Sequence, residues 1–173
     1  MNPVIQNIKT RRSIRKYKDT PVPQELIREV MECGKYAPSA RNFKQWQFVA
    51  VTDKAMIEKI RLCSNISVLM AGWEDSFHKA PCIIIVFAKE GVGEPIKDGN
   101  LALQNMMLAA HSLGLGTCYI NVVKQLFSFS FGSEIKQQLG VPEDYIATGS
   151  ITLGYPDEDP EFVPKNMDCD SIY

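Results

Sequence analysis

Histidine is scarce in this chain, and its cysteines are not grouped. The two histidines, His78 and His111, have no metal-ligand spacing between them. The five cysteines, Cys33, Cys63, Cys82, Cys118 and Cys169, are odd in number and widely spaced, with no C-x-x-C pair. That pattern argues against a disulfide framework, a zinc site or an iron–sulfur cluster. Neither a G-x-x-x-x-G-K loop nor a G-x-G-x-x-G turn occurs, so neither a P-loop nor a dinucleotide-binding turn is expected. Long apolar runs are missing, as are an apolar leader-like stretch at the N-terminus, internal repeats and low-complexity tracts. We expect a reduced, cytoplasmic protein with no membrane partner. Net charge is −1, so no whole-protein pull toward nucleic acid is expected.

What is present reads as one globular domain over residues 1–173, with 45% hydrophobic and 23% charged residues. Asn2-Pro3 caps a short helix to about Thr10. A second helix runs from about Pro23 to Tyr36, and residues 37–42 form a loop. Trp46 to Val51 reads as a strand, and Asp53 caps a helix carrying Met56, Ile57 and Ile60. Residues 65–79 read as weakly helical. Cys82 to Ala88 is a continuous apolar run, expected as a buried central strand. Residues 97–113 form a long, broadly apolar helix ended by Gly114. Thr117 to Val123 is extended, Ser133 caps a short helix ending at Gly140, and Ile146 to Leu153 is a last strand. Phe127, Phe129 and Phe131 alternate, which reads either as one face of a strand or as an apolar substrate wall. The acidic stretch at 157–161 is most simply a solvated loop.

The densest chemical signal is Arg11-Arg12-Ser13-Ile14-Arg15. Arg carries a fixed fork of donors that matches phosphate oxygens, and Ser adds a compact hydroxyl. Such a cluster can hold a phosphate, although most basic runs are solvated surface. Three further segments follow in order. They are Ala37-Pro38-Ser39-Ala40-x-Asn42 with Trp46-x-Phe48, then Leu113-Gly114-Leu115-Gly116-Thr117-Cys118, then Gly154-Tyr155-Pro156 leading to Lys165.

In this order and at these separations, the chain resembles the FMN-dependent nitroreductase superfamily over nearly its full length. The resemblance implies an α+β nitroreductase-like fold: a central, mainly antiparallel sheet flanked by helices. It also implies a homodimer with FMN in clefts shared between subunits. Arg11, Arg12, Ser13 and Arg15 would hold the phosphate and the ribityl and pyrimidine end of FMN, and Lys165 would reach the phosphate. Pro38, Ser39, Ala40 and Asn42 would approach the same flavin from the other subunit. Tyr119, Ile120 and Asn121 would lie along the isoalloxazine face. NAD(P)H and a small-molecule electron acceptor are the implied partners, with no side chain needed as acid or base. The chain departs from the family pattern at Arg41, at Lys44-Gln45 before Trp46, and at Met167. Trp46 and Cys118 read more simply as core residues than as flavin contacts, and His78 and His111 are assigned no role. A non-catalytic flavin carrier or sensor is the second reading, and a nucleic-acid-binding domain using the basic run is the third.

Overall fold

The computed structural model describes residues 2–67 and 75–161, with backbone alone for residues 66 and 67. Helix α1 (Pro3–Thr10) is started by Asn2, whose side chain accepts from the Val4 N–H at 2.9 Å, and by Pro3 in its first turn. Helix α2 (Gln24–Lys35) buries Ile27, Val30 and Gly34 on one stripe. A single 3-10 turn (Ala40–Asn42) leads to strand β1 (Trp46–Val51). Asp53 accepts from the Met56 N–H at 2.8 Å and opens α3 (Lys54–Ser67), as its position suggests. Strand β2 (Cys82–Lys89) and helix α4 (Pro95–Ser112) come next. They are followed by β3 (Gly116–Ile120), α5 (Val123–Leu126), α6 (Ser130–Gln138) and β4 (Tyr145–Gly154).

The four strands form one sheet in the order β1-β2-β4-β3, each pairing antiparallel. Both faces of β2 are covered, which explains its unbroken apolar sequence. Ile84 and Val86 face α2 and α4, in a core with Leu103 and Met106. Ile83, Ile85 and Phe87 face the opposite core, with Ile60, Leu126 and Ile135. Helix α4 lies so close to β4 that a Cβ on Gly99 would come within 2.1 Å of Thr148 Oγ1. The helix ends as expected at Gly114 (φ 75°), with Gly114 N–H donating to His111 O at 3.1 Å and Leu115 N–H to Ala110 O at 2.8 Å. This paired closure turns the chain straight back into β3.

Four expectations need correction. Of the stretch read as weakly helical, residues 65–67 end α3, residues 68–74 lie outside the described residues, and residues 76–79 are a turn: Asp75 accepts from the Phe77 and Lys79 N–H groups, and His78 and Lys79 are left-handed. The extended segment stops at Ile120, and Val122-Val123 already turn into α5. The three phenylalanines do not share a strand face, because Phe129 is the N-cap of α6 and Phe131 lies inside it. Phe127 packs edge-on against Phe87, while Phe129 and Phe131 stack on one another. Helix α6 also starts at Ser130, three residues before Ser133. No helix among the described residues is long and apolar enough to cross a membrane.

Candidate functional site

The Arg segment runs beside β3 at the sheet edge. Ser13 forms a parallel bridge with Thr117, and the Ile14 N–H donates to Thr117 O at 2.9 Å. An extended backbone sends alternate side chains to opposite sides. Ile14 goes inward against Gly116 and is buried. Arg11, Ser13 and Arg15 share the other side, spread over about 13 Å of extended chain. Their common neighbour is the buried Cys118 thiol, which burial pushes up while Arg15, the Ser13 hydroxyl and Arg11 draw it down. Cys118 is thus a core thiol, as read from sequence.

Arg11 and Arg12 differ more than their adjacency suggests. One Arg12 nitrogen, Nη1, donates to Lys9 O and Arg11 O, both at 2.8 Å, and so closes the end of α1. Arg11 is half-buried, burial lowers its pKa, and its Nη1 is buried without a hydrogen-bond partner. Buried polar atoms are normally satisfied, and among the described residues this nitrogen has no acceptor. A cavity of about 240 Å³ opens beside both arginines, walled by Thr10, His111, Gly114 to Thr117 and Glu158.

Three residues that the sequence did not single out hold this segment in place. Glu158 accepts from the backbone N–H groups of both Arg15 and Lys16, the latter at 3.1 Å. The Tyr17 hydroxyl donates to Ile14 O at 2.6 Å and lies 2.6 Å from Thr152 Oγ1 on β4. The Lys18 N–H donates to Tyr155 O, and the Asp157 N–H to Lys16 O, both at 2.9 Å. Glu158 therefore has a structural contact inside the stretch read as a solvated loop.

Ser39 and Ala40 are half-exposed, and Pro38 and Asn42 are exposed. This turn has left-handed backbone at Arg41 (φ 51°), Asn42 (φ 58°) and Lys44 (φ 49°). A non-glycine residue pays roughly 1–2 kcal/mol for that conformation, with Asn the best tolerated. Besides its own backbone bonds, two side-chain contacts hold it: Lys44 N–H to Ser39 Oγ at 3.1 Å, and Ala40 N–H to Asp98 Oδ1 at 3.0 Å. Trp46, at the start of β1, is half-buried against Phe48 and the core beside α4.

The two groups are not neighbours within one chain. The turn is tied to α4 on one face of the sheet and leads into the edge strand β1. The Arg11–Ser13–Arg15 side belongs to the Cys118 face at the other edge, beside β3. Three strand spacings, about 14 Å, separate those edges. Tyr119 and Ile120 likewise point to opposite faces. The Tyr119 hydroxyl donates to Asn100 Oδ1 at 2.9 Å beside α4, whereas Ile120 is buried in the other core. Asn121 is exposed at the end of β3. Lys165 lies outside the described residues.

Known proteins share this architecture. A putative NADH dehydrogenase/NAD(P)H nitroreductase of Methanothermobacter thermautotrophicus is 36% identical over 91% of this chain and 79% of its own length. An FMN reductase [NAD(P)H] of Bacillus subtilis is 28% identical over 90% of this chain and 67% of its own. A nitroreductase with bound FMN from Desulfitobacterium hafniense superposes with a TM-score of 0.90 at 26% identity, over 100% of this chain and 99% of that one. One from Bacteroides fragilis, also with bound FMN, gives a TM-score of 0.86 at 28% identity, over 100% and 98%. Residues 8–155 match the nitroreductase family, from the last turn of α1 through the Arg segment to the end of β4, and this chain belongs to that family.

Proposed function

We propose that this protein is an NAD(P)H-dependent FMN oxidoreductase. One observation carries the reading: Arg11, Ser13 and Arg15 line one side of an extended segment, with a buried Arg11 Nη1 at its start that has no partner among the described residues. The donor set fits a long anionic ligand with a phosphate at one end. Arg11 would hold the phosphate, joined by Lys165, and Ser13 the ribityl chain. Arg15 would place positive charge at the pyrimidine end, where it favours negative charge on the ring. Arg12, by closing α1, would act more on the shape of the segment than on the ligand. When bound, FMN supplies the chemistry, taking a hydride from NAD(P)H and passing it to an acceptor such as a nitroaromatic, quinone or enone.

The remaining work of the chain is to bind and orient. Glu158, Tyr17 and Thr152 fix the backbone on which the donors stand. The Pro38–Asn42 turn, on the far edge of its own sheet, is best used on a flavin held by a second copy. That arrangement requires a homodimer. Helix α1 supports it: the helix has no buried residue, and it exposes Val4, Ile5 and Ile8. The end of β3, at Tyr119 to Asn121, would then line the ring by backbone more than by side chain, since Ile120 is committed to the core.

Purified protein should be yellow with a flavin spectrum. Anaerobic NADH or NADPH should bleach it, and a quinone should restore the colour. A colourless protein that takes up no added FMN contradicts the assignment, and a yellow one that neither nucleotide bleaches is a carrier or sensor.

A further inference from the structure

We propose that Asp98 is a positioning residue for the cofactor site, holding the Ser39–Asn42 turn in the shape it presents to flavin. The inference rests on the flavin reading above. Asp98 stands in the first turn of α4, a helix packed against the sheet, and is only 9% exposed. One carboxylate oxygen accepts the Ala40 N–H at 3.0 Å. The other lies against Gly93, where an added Cβ would sit 3.3 Å from Oδ2 and 3.4 Å from the Ala40 Cβ. Carboxylate, turn and Gly93 backbone thus meet at a point where side-chain bulk has been kept out.

The turn needs an anchor outside itself. Residues 37–44 contain no glycine, yet three of them are left-handed, a conformation their own sequence disfavours. The bond from Lys44 N–H to Ser39 Oγ closes the turn on itself but does not attach it to the body. Asp98 does, and it does so at the first amide of the 3-10 turn, a group with no partner inside that turn. Local backbone strain of this kind persists where surrounding structure enforces it. Asp98 would not touch flavin; it acts through Ala40.

The test compares Asp98→Ala with Asp98→Asn, whose amide oxygen still accepts from Ala40. In flavin-free protein, hydrogen exchange of the Ala40 amide should speed up in Asp98→Ala and stay slow in Asp98→Asn. The dissociation constant for added FMN should rise about tenfold in Asp98→Ala and remain within about twofold of wild type in Asp98→Asn. Wild-type affinity in Asp98→Ala, or equal weakening in both variants, overturns the proposal. Unchanged Ala40 exchange in Asp98→Ala overturns the anchoring itself. A wild-type protein that takes up no FMN overturns the flavin reading, and the role of Asp98 with it; normal wild-type binding beside an indifferent Asp98→Ala overturns the proposal alone. Should Asp98→Ala fail to fold, Ala40→Pro removes the donor instead. Ser39 is already extended (φ −139°, ψ 155°), as a residue before proline must be. Faster exchange at Asn42 and Phe43 with weaker FMN binding is expected there, and wild-type behaviour in both would overturn the claim.

Discussion

Arg11 and Arg12 are identical side chains on adjacent positions, and their surroundings give them different work. On the proposed site, Arg11→Ala removes a phosphate donor, so FMN binding should weaken by roughly 1.5–3 kcal/mol, about one to two decades. Arg15→Ala should fall in the same range. Arg12→Ala should cost less affinity and more thermal stability, because Arg12 Nη1 serves the carbonyls that end α1. Flavin titration and melting curves of the three variants check the division; equal losses of affinity at Arg11 and Arg12 would contradict it. His111 offers a second test. The Thr10 hydroxyl spends its proton on Gln6 O, so His111 Nε2, 2.9 Å from Thr10 Oγ1, must be the donor. Burial, with Arg11 and then Arg12 nearby, lowers the His111 pKa from 6.5. The unfolded chain therefore binds the proton more readily, and native stability falls as pH drops below about 6.5 toward the lowered folded value. Melting temperature should fall less between pH 7 and 5 in His111→Gln than in wild type, and parallel profiles would remove the effect.

At the scale of elements, close approach decides what sequence pattern leaves open. Gly99→Ala should destabilise the protein by about 1–3 kcal/mol, because the new methyl meets Thr148, which is buried and donates to Val86 O at 3.0 Å. A melting temperature equal to wild type would show that α4 can move off the sheet at no cost. The elements legible in the sequence are those whose signals are local. Asn2-Pro3 and Asp53 satisfy amides within their own first turns, Gly114 supplies a left-handed residue, and β2 is apolar throughout because both its faces are covered. The Phe127–Phe131 stretch misleads because alternation implies a strand only where a neighbouring strand exists to pair with it. Here Gly132 lets α6 close onto the Leu126 carbonyl, where an added Cβ would stand 2.3 Å away. The site divides in the same way. The Arg cluster is visible in the chain, but which side of the segment each arginine takes is set by the bridge between Ser13 and Thr117, over a hundred residues away. Asp98 carries no motif, and its contact with Ala40 exists only after folding.

For the whole molecule, the placement of the two candidate flavin surfaces at opposite sheet edges makes assembly part of the proposed function. The double variant Val4→Glu/Ile8→Glu charges an apolar face that α1 leaves exposed and should sediment as a monomer with weakened FMN binding. A monomer that binds FMN as tightly as wild type would contradict a shared site. If one ring face serves both substrates, NAD(P)H and acceptor react in turn, and initial rates should give parallel double-reciprocal lines. Intersecting lines would mean that both bind together. A further consequence lies in how the Arg segment is held. Its backbone is fixed by Thr117, Tyr155 and Glu158, all made late in the chain, while the arginines are made first. During synthesis, residues 11–15 leave the ribosome long before anything exists to shape them. If the Arg segment holds flavin as proposed, capture waits for the last strand and the residues just beyond it, and chains that stall before Glu158 should emerge colourless, however well the rest of the sheet has formed.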